Sequence, residues 1–245
     1  MDKMETTKKL YDLDAYQTEF DGVVLSCEPL EKKEGTIYQV ILDQTLFFPE
    51  EGGQSPDQGT MNGIDVSDVQ IKKDVITHTL PQPIAPGTKV HGILNWEHRF
   101  SNMQQHTGEH IFSGLVHGKY GYNNVGFHLS DNIVTMDFDG VLNQAQVEEI
   151  EDEVNRVISS NRAVEVTYPT KEELEKLEYR SKIEIEGQVR IVTIPGVDVC
   201  ACCAPHVART GEIGMLKVMT LSNYKGGVRI SILCGFRALR AFREK

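Results

Sequence analysis

Two histidines, His106 and His110, stand four residues apart in a stretch where Phe100, Met103, Ile111 and Leu115 recur at three- and four-residue spacing. On a helix with that period both imidazoles project from one face, within reach of a single cation. Far downstream, Cys200-Ala201-Cys202-Cys203-Ala204-Pro205-His206 gathers thiols and an imidazole into one short loop. Paired helical histidines are often only hydrogen-bonded core residues. The cysteine loop changes that balance, because thiolate and imidazole are the ligands zinc prefers. The helix pair, one thiolate and His206 make a four-ligand set, and spacing alone leaves open which thiol joins it. With 91 residues between His110 and Cys202, the cation would join elements brought together by the fold, unlike a compact structural knuckle. Glu109 adjoins His110 outside the H-E-x-x-H register, about 100° around the helix from it, and is expected to be a solvated or packing residue. Without an obvious carboxylate base, the chemistry would rest on metal polarisation and the positioning of water.

A second feature is Phe47-Phe48-Pro49-Glu50-Glu51-Gly52-Gly53-Gln54-Ser55-Pro56. Two prolines and a glycine pair exclude a regular ladder, so this is a constrained loop with a carboxamide at its tip. Short β-rich runs surround it, Val23 to Leu25, Ile37 to Leu42 and Val90 to Leu94, in the pattern of a small antiparallel β-barrel. After Trp96 the period becomes helical, which sets a domain boundary near residue 95: residues 1–95 form a barrel domain and residues 96–245 an α+β domain. In the latter, Val147, Ile150, Val154, Val157 and Ile158 mark an amphipathic helix, and Glu148 to Glu153 are expected to be its solvated face. Thr170-Lys171-Glu172-Glu173 reads as a capping box, and Asn132 to Phe138, Val189 to Ile194 and Gly227 to Ile232 read as strands. No Walker loop or dinucleotide-binding glycine fingerprint is present, so no nucleotide cofactor is expected.

Composition narrows the function further. The 245 residues are 40% apolar and 25% charged, a globular balance. A formal charge of −11 argues against a general nucleic-acid coat protein. From Arg209 onward, however, eight basic residues (Arg209, Lys217, Lys225, Arg229, Arg237, Arg240, Arg243, Lys245) face only Glu212 and Glu244, a local balance of 8 − 2 = +6. Five cysteines, three crowded into Cys200 to Cys203, do not suit a disulfide framework. The start, Met1 to Lys9, lacks the apolar core of a signal peptide, and no stretch approaches the ~20 apolar residues of a membrane span. The expectation is a cytoplasmic protein without membrane contact.

Four stretches together resemble the alanyl-tRNA synthetase editing-domain family and its free-standing trans-editing relatives of the AlaX type. They are Phe48-Pro49-Glu50-Glu51-Gly52-Gly53-Gln54, Met103-Gln104-Gln105-His106-Thr107-Gly108-Glu109-His110, Cys202-Cys203-Ala204-Pro205-His206-Val207 and Arg209-Thr210-Gly211-Glu212-Ile213-Gly214. They occur in the family's order and span nearly the whole chain. The family's usual Cys-Gly-Gly-Thr-His is Cys202-Cys203-Ala204-Pro205-His206 here, with the ligand spacing kept.

The resemblance implies an editing domain of the threonyl/alanyl-tRNA synthetase type behind the barrel. It also implies a zinc-dependent hydrolase that removes chiefly serine, and secondarily glycine, from the acceptor end of mischarged tRNA(Ala). Zn2+ would be held by His106, His110, Cys202 and His206, with Gln54 acting at the ester. The match to C-x-x-x-H selects Cys202 and leaves Cys200 and Cys203 as accessory thiols. Arg209, Lys225, Arg229, Arg237, Arg240 and Arg243 would meet tRNA phosphates. The alternatives are a non-catalytic tRNA-binding module with a structural zinc, and a thiol redox protein built on Cys200, Cys202 and Cys203, which would need a low-pKa cysteine not tied to metal.

Overall fold

The computed structural model describes residues 6–33, 35–181 and 187–243. Met1 to Glu5 at the start and Glu244 and Lys245 of the basic tail lie outside the described residues. The chain divides into two compact units, Met1–Phe100 and Ser101–Lys245.

The first unit contains β1 (Lys8–Lys9), β2 (Glu19–Lys32), β3 (Gly35–Leu42), β4 (Gln44–Thr45), β5 (Gly59–Met61), β6 (Ile64–Val66), β7 (Asp68–Lys72), β8 (Val75–Leu80) and β9 (Lys89–Leu94). Seven of these form one antiparallel sheet in the order β6-β5-β9-β2-β3-β8-β7, while β1 pairs in parallel with β4. The 14-residue β2 pairs with β9 through its first part and with β3 through the rest. A register shift between Val24 and Ser26 marks the changeover. Pro29 falls in the half that has only β3 beside it, where a missing amide costs no ladder bond.

The expected closed barrel is not what these hydrogen bonds build. β6 and β7 are the outer strands, yet they are consecutive in the chain with only Ser67 between them. The sheet therefore curls until its edges meet at that residue, and they run on end to end instead of side by side. Phe47, Phe48, Val40, Leu42, Ile76 and Leu80 fill the interior.

The boundary between the units falls inside α1 (Trp96–Tyr120), after which come β10 (Asn124–Leu129), β11 (Val134–Phe138), α2 (Gln144–Ser159), β12 (Glu165–Thr167), α3 (Lys171–Leu174), β13 (Ile191–Ile194), β14 (Asp198–Ala201), β15 (Leu216–Tyr224), β16 (Gly227–Cys234) and α4 (Gly235–Arg243). Two antiparallel sheets result, β10-β11-β16-β15 and β12-β13-β14. Asn143 with Gln146 and Thr170 with Glu173 form reciprocal capping boxes at α2 and α3. The predicted stripe Val147, Ile150, Val154, Val157 and Ile158 is buried. The opposite side of α2 is not all solvated. Glu151 accepts from the Val218 amide at 2.6 Å and pairs with Lys217 at 2.6 Å, and Asn155 exchanges two hydrogen bonds with the backbone of Leu216. α2 thus covers the outer edge of β15. Among the described residues no helix is long and apolar enough to cross a membrane.

One buried group makes the first unit sensitive to pH. His78 Nδ1 lies 3.1 Å from the Val40 carbonyl and must donate to it, so Nε2 accepts from Thr45 Oγ1 at 2.9 Å. Burial pushes this imidazole from 6.5 down to about 4. The unfolded chain takes up a proton below pH 6.5 that the native fold refuses until about pH 4, so stability falls as pH drops through that window. At about 1.4 kcal/mol per pH unit the loss reaches roughly 3 kcal/mol. Thermal melts between pH 7 and pH 5 should therefore show a flatter decline for His78→Gln than for the wild type. Parallel declines would show that another group sets the dependence.

Candidate metal centre

The second unit brings His106, His110, Cys202 and His206 together, with one ligand atom from each lying within 4.8 Å of the others. Cys202 Sγ is 3.6 Å from His106 Nε2 and 3.3 Å from His206 Nε2. A tetrahedron with a Zn–S bond of ~2.3 Å and Zn–N bonds of ~2.0–2.1 Å has edges of about 3.4–3.6 Å. The donor set therefore fits a tetrahedral zinc in chemistry and in spacing.

The far side of each ring shows how the donors are aimed. Thr107 Oγ1 donates to the Met103 carbonyl at 2.8 Å, so at 3.0 Å from His206 Nδ1 it can only accept. That places the proton on Nδ1 and leaves the Nε2 lone pair toward the cluster. His110 Nδ1 likewise lies 3.0 Å from Asp198 Oδ2. Arg180 grips the same carboxylate through Nε at 2.7 Å and Nη2 at 2.9 Å. Burial would raise the Asp198 carboxyl, but His110 and Arg180 outweigh it and hold it below its ordinary range. The backbone of Arg180 also bonds to Val199 and Ala201 on either side of Cys200, so the residue that anchors the carboxylate also anchors β14.

Pro205 and its neighbours belong to no regular element. Arg190 shapes this loop, with Nη1 donating to the carbonyls of Cys202 at 2.8 Å and Ala204 at 2.9 Å. For the Cys202 thiol, burial acts upward, but the His106 and His206 imidazoles outweigh it and hold the thiol well below its ordinary value. Burial drives His206 down to about 3. A thiolate and a neutral His206 suit metal binding. Burial acts downward on His110 too, but Cys200, Asp198 and Cys202 beside it outweigh that and hold this imidazole well above its ordinary value, so a metal would have to displace its proton. Cys200 is buried, within 4.8 Å of His110 and Asp198 as measured between side-chain ligand atoms, and burial pushes its thiol up. Cys203 belongs to neither group of candidate ligands among the described residues.

α1 approaches its neighbours through two glycines. A Cβ at Gly108 would collide with Cys234 Sγ, and one at Gly114 would stand 2.6 Å from the Val197 carbonyl. Glu109, expected to be solvated or merely packed, is 1% exposed. Its Oε2 is 4.0 Å from His110 Nε2. Thr107, Asp198, Arg180 and Arg190, which bond to the cluster or its loop, were not singled out from the sequence. A sequence signal existed for Glu109, since it lies three residues from His106 and hence on the same helix face.

Gln54 belongs to the first unit. Glu51 and Gln54 exchange backbone bonds of 3.3 and 3.1 Å across Gly52 and Gly53, at φ 62° and 85°. Two successive positive φ values make a turn that glycine adopts without strain. Its side chain is buried. Asp57 and Phe48 close the ends of the loop through bonds of 2.7 and 2.9 Å. The buried Arg99 guanidinium pairs with Asp57 and also donates to the carbonyls of Ala15 and Leu46.

The basic residues differ in exposure more than in having partners, since Arg209 donates to the Asn161 carbonyl and Lys225 lies over the Tyr224 ring. Arg237 donates to Ser101, Ser130 and Asn102 at 2.7 Å each, and Arg229 pairs with Asp137 at 2.6 Å while lying over the Tyr224 ring. Both are held by partners within the protein, with 39% of the Arg229 side chain still exposed. Arg209, Lys225, Arg240 and Arg243 are exposed.

Comparison with known proteins places this geometry. The model described as "Threonyl and Alanyl tRNA synthetase second additional domain" matches residues 189–231, which include Cys202 and His206, and that of "tRNA synthetases class II (A)" matches residues 3–98. The chain is 33% identical over 97% of its length to Alanyl-tRNA editing protein AlaX-L of Pyrococcus horikoshii, of which it covers 60%. Over nearly its whole length it is similar to alanyl-tRNA editing proteins. Alanyl-tRNA editing protein Aarsd1 of Bos taurus is 32% identical over 93% of the chain, with 54% of that protein covered. Alanine–tRNA ligase of Ignicoccus hospitalis is 32% identical over 94%, with 26% covered. The chain thus spans little more than half the length of the first two.

The hydrogen bonds behind the imidazoles predict a measurable hierarchy. Asp198→Asn should weaken zinc affinity about 10- to 100-fold in competition with a chromophoric chelator. Unchanged affinity would mean that His110 holds its orientation without the carboxylate. Metal analysis of Cys202→Ser should show the ion lost, while Cys200→Ser and Cys203→Ser keep it. Retention by the first with loss from either neighbour would reverse the assignment.

Proposed function

We propose that this chain is a cytoplasmic, zinc-dependent deacylase of mischarged tRNA(Ala), acting on seryl-tRNA(Ala) and also glycyl-tRNA(Ala), with Zn2+ held by His106, His110, Cys202 and His206. The observation that carries the reading is the buried cluster of three imidazoles and a thiol within 4.8 Å, in a chain whose relatives bear the name of alanyl-tRNA editing proteins. When bound, the ion supplies a Lewis acid that can polarise a carbonyl or hold a hydroxyl group.

The residues of the chain do the remaining work. An aminoacyl ester is already activated, so holding its carbonyl against water in a fixed geometry accounts for much of the barrier. Asp198 and Thr107 keep the imidazoles fixed, so no reorganisation is needed when substrate arrives. Serine differs from alanine by one hydroxyl, and a site that engages this group disfavours the analogue lacking it, because polar groups are then left unmatched. Arg209, Lys225, Arg240 and Arg243 are proposed to meet phosphates of the acceptor end. Gln54, through one carboxamide donor and one acceptor, is proposed to act in hydrolysis from the 1–95 domain.

The deciding experiment incubates the zinc-loaded protein with seryl-, glycyl- and alanyl-tRNA(Ala). The seryl ester should be cleaved fastest and in a chelator-sensitive way, the glycyl ester more slowly because it too lacks the hydroxyl, and the alanyl ester spared; equal, metal-independent rates would defeat the reading. In the same assay Gln54→Ala should lower the rate about 10²- to 10³-fold, the usual effect of removing one polar contact at a transition state, with zinc content unchanged.

A further inference from the structure

We propose that Arg190 is a positioning residue for the metal centre, holding the loop that carries Cys202 and His206 at ligand spacing before an ion arrives. The inference rests on the zinc reading of the site and deepens it.

Two of the four candidate ligands, His106 and His110, are placed by a helix. The other two lie in residues 202–207, which belong to no helix or strand, so contacts from outside the loop must place them. Arg190 makes those contacts at the loop's start. It stands directly before β13, where the pairing of Ile191 with Ala201 brings it opposite Cys202. Its carbonyl accepts from the Cys202 amide at 3.1 Å, and its Nη1 donates back to the Cys202 carbonyl at 2.8 Å. One residue thus fixes both backbone groups of the thiol ligand. Nη1 carries two hydrogens, and it also donates to the Ala204 carbonyl at 2.9 Å. Carbonyls two residues apart converge on one nitrogen only if the chain curls around it, and Ala204 sits at a bend.

The far end of the loop is tied independently. Thr107 Oγ1 accepts from the Val207 amide at 3.2 Å and lies 3.0 Å from His206 Nδ1. Between the two anchors, Pro205 fixes its own φ and keeps Ala204 out of the helical region, while residues 204–207 are buried. These bonds within the protein account for the 3.3 Å between Cys202 Sγ and His206 Nε2. Many small metal sites are ordered by the ion itself; here a guanidinium does that work on the loop side. Its charge strengthens both bonds and its planar fork fixes their direction, whereas a lysine ammonium is a rotating point charge.

Amide hydrogen exchange on the whole protein, stripped of metal and then zinc-loaded, tests the hold directly. In the metal-free wild type the Cys202 amide should be about as protected as the paired amides of β13 and β14. Arg190→Met should weaken zinc about 10- to 100-fold in competition with a chromophoric chelator, the usual effect of losing a group that supports a ligand. In that variant exchange should quicken at Cys202 while the Val207 amide, held by Thr107, keeps its protection. Arg190→Lys, with the charge but without the fork, should fall between the two. Exchange that quickens evenly across the second unit would make Arg190 a general stabiliser and overturn the proposal. So would a wild type that binds zinc yet protects its Cys202 amide only when loaded, with the zinc reading left standing. A wild type that takes up no zinc would overturn the zinc reading itself. The wild-type comparison needs no variant to fold.

Discussion

A stretch of helix buried on every side must find a partner for each polar atom it carries, and α1 is such a stretch from Asn102 to Gly114. Asn102, Gln104, Gln105, His106, Thr107, Glu109, His110 and Ser113 are all nine-tenths or more buried, at a cost of ~1–3 kcal/mol for any donor or acceptor left unmet. The surroundings of α1 follow from that requirement. Gln105 exchanges bonds of 2.7 and 3.0 Å with the backbone of Cys234, closing the end of β16. Gln104 donates to Glu212 at 2.8 Å, and Thr107 collects both His206 and the Val207 amide. Gly108 and Gly114 are the positions where the partners come too near for a side chain.

The same accounting determines where the reactive nitrogens point. An imidazole has two nitrogens, and a residue that binds one of them decides the fate of the other. Thr107 and Asp198 occupy the Nδ1 positions of His206 and His110, so both Nε2 atoms converge on Cys202. Asp198 is in turn held by Arg180, whose backbone is stitched to β14. The cluster is rigid because each layer is hydrogen-bonded to the next, down to a strand of the sheet.

Local rules read a good part of this from the chain. His106 and His110 share a face because a helix repeats every 3.6 residues, the glycine pair before Gln54 needs positive φ, and both capping boxes have the side chains their amides require. What was not legible depends on partners remote in sequence. Arg237 reaches Ser101 across 136 positions and Arg229 reaches Asp137 across 92, partners that their charge alone does not reveal. Arg180 and Arg190 act mainly through carbonyls and a carboxylate that no spacing reveals. Glu109 falls on the packing side of its expectation, and its place three residues from His106 makes its burial readable from the helix period. Barrel closure was missed for a different reason. β-rich runs and turns predict strands, but the pairing of the last edges depends on where β6 and β7 fall along the curl.

That arrangement of β6 and β7 bears on how the protein behaves at high concentration. An exposed sheet edge is a template on which another chain can add a strand, and long flat edges are a common start of aggregation. Here β6 has only three residues and β7 five, set end to end around a bend at Ser67. Neither offers an intruding strand much ladder to grow along. In the second unit Glu151 and Asn155 already occupy backbone groups at the start of β15. One edge of the four-stranded sheet is thereby closed to an added strand.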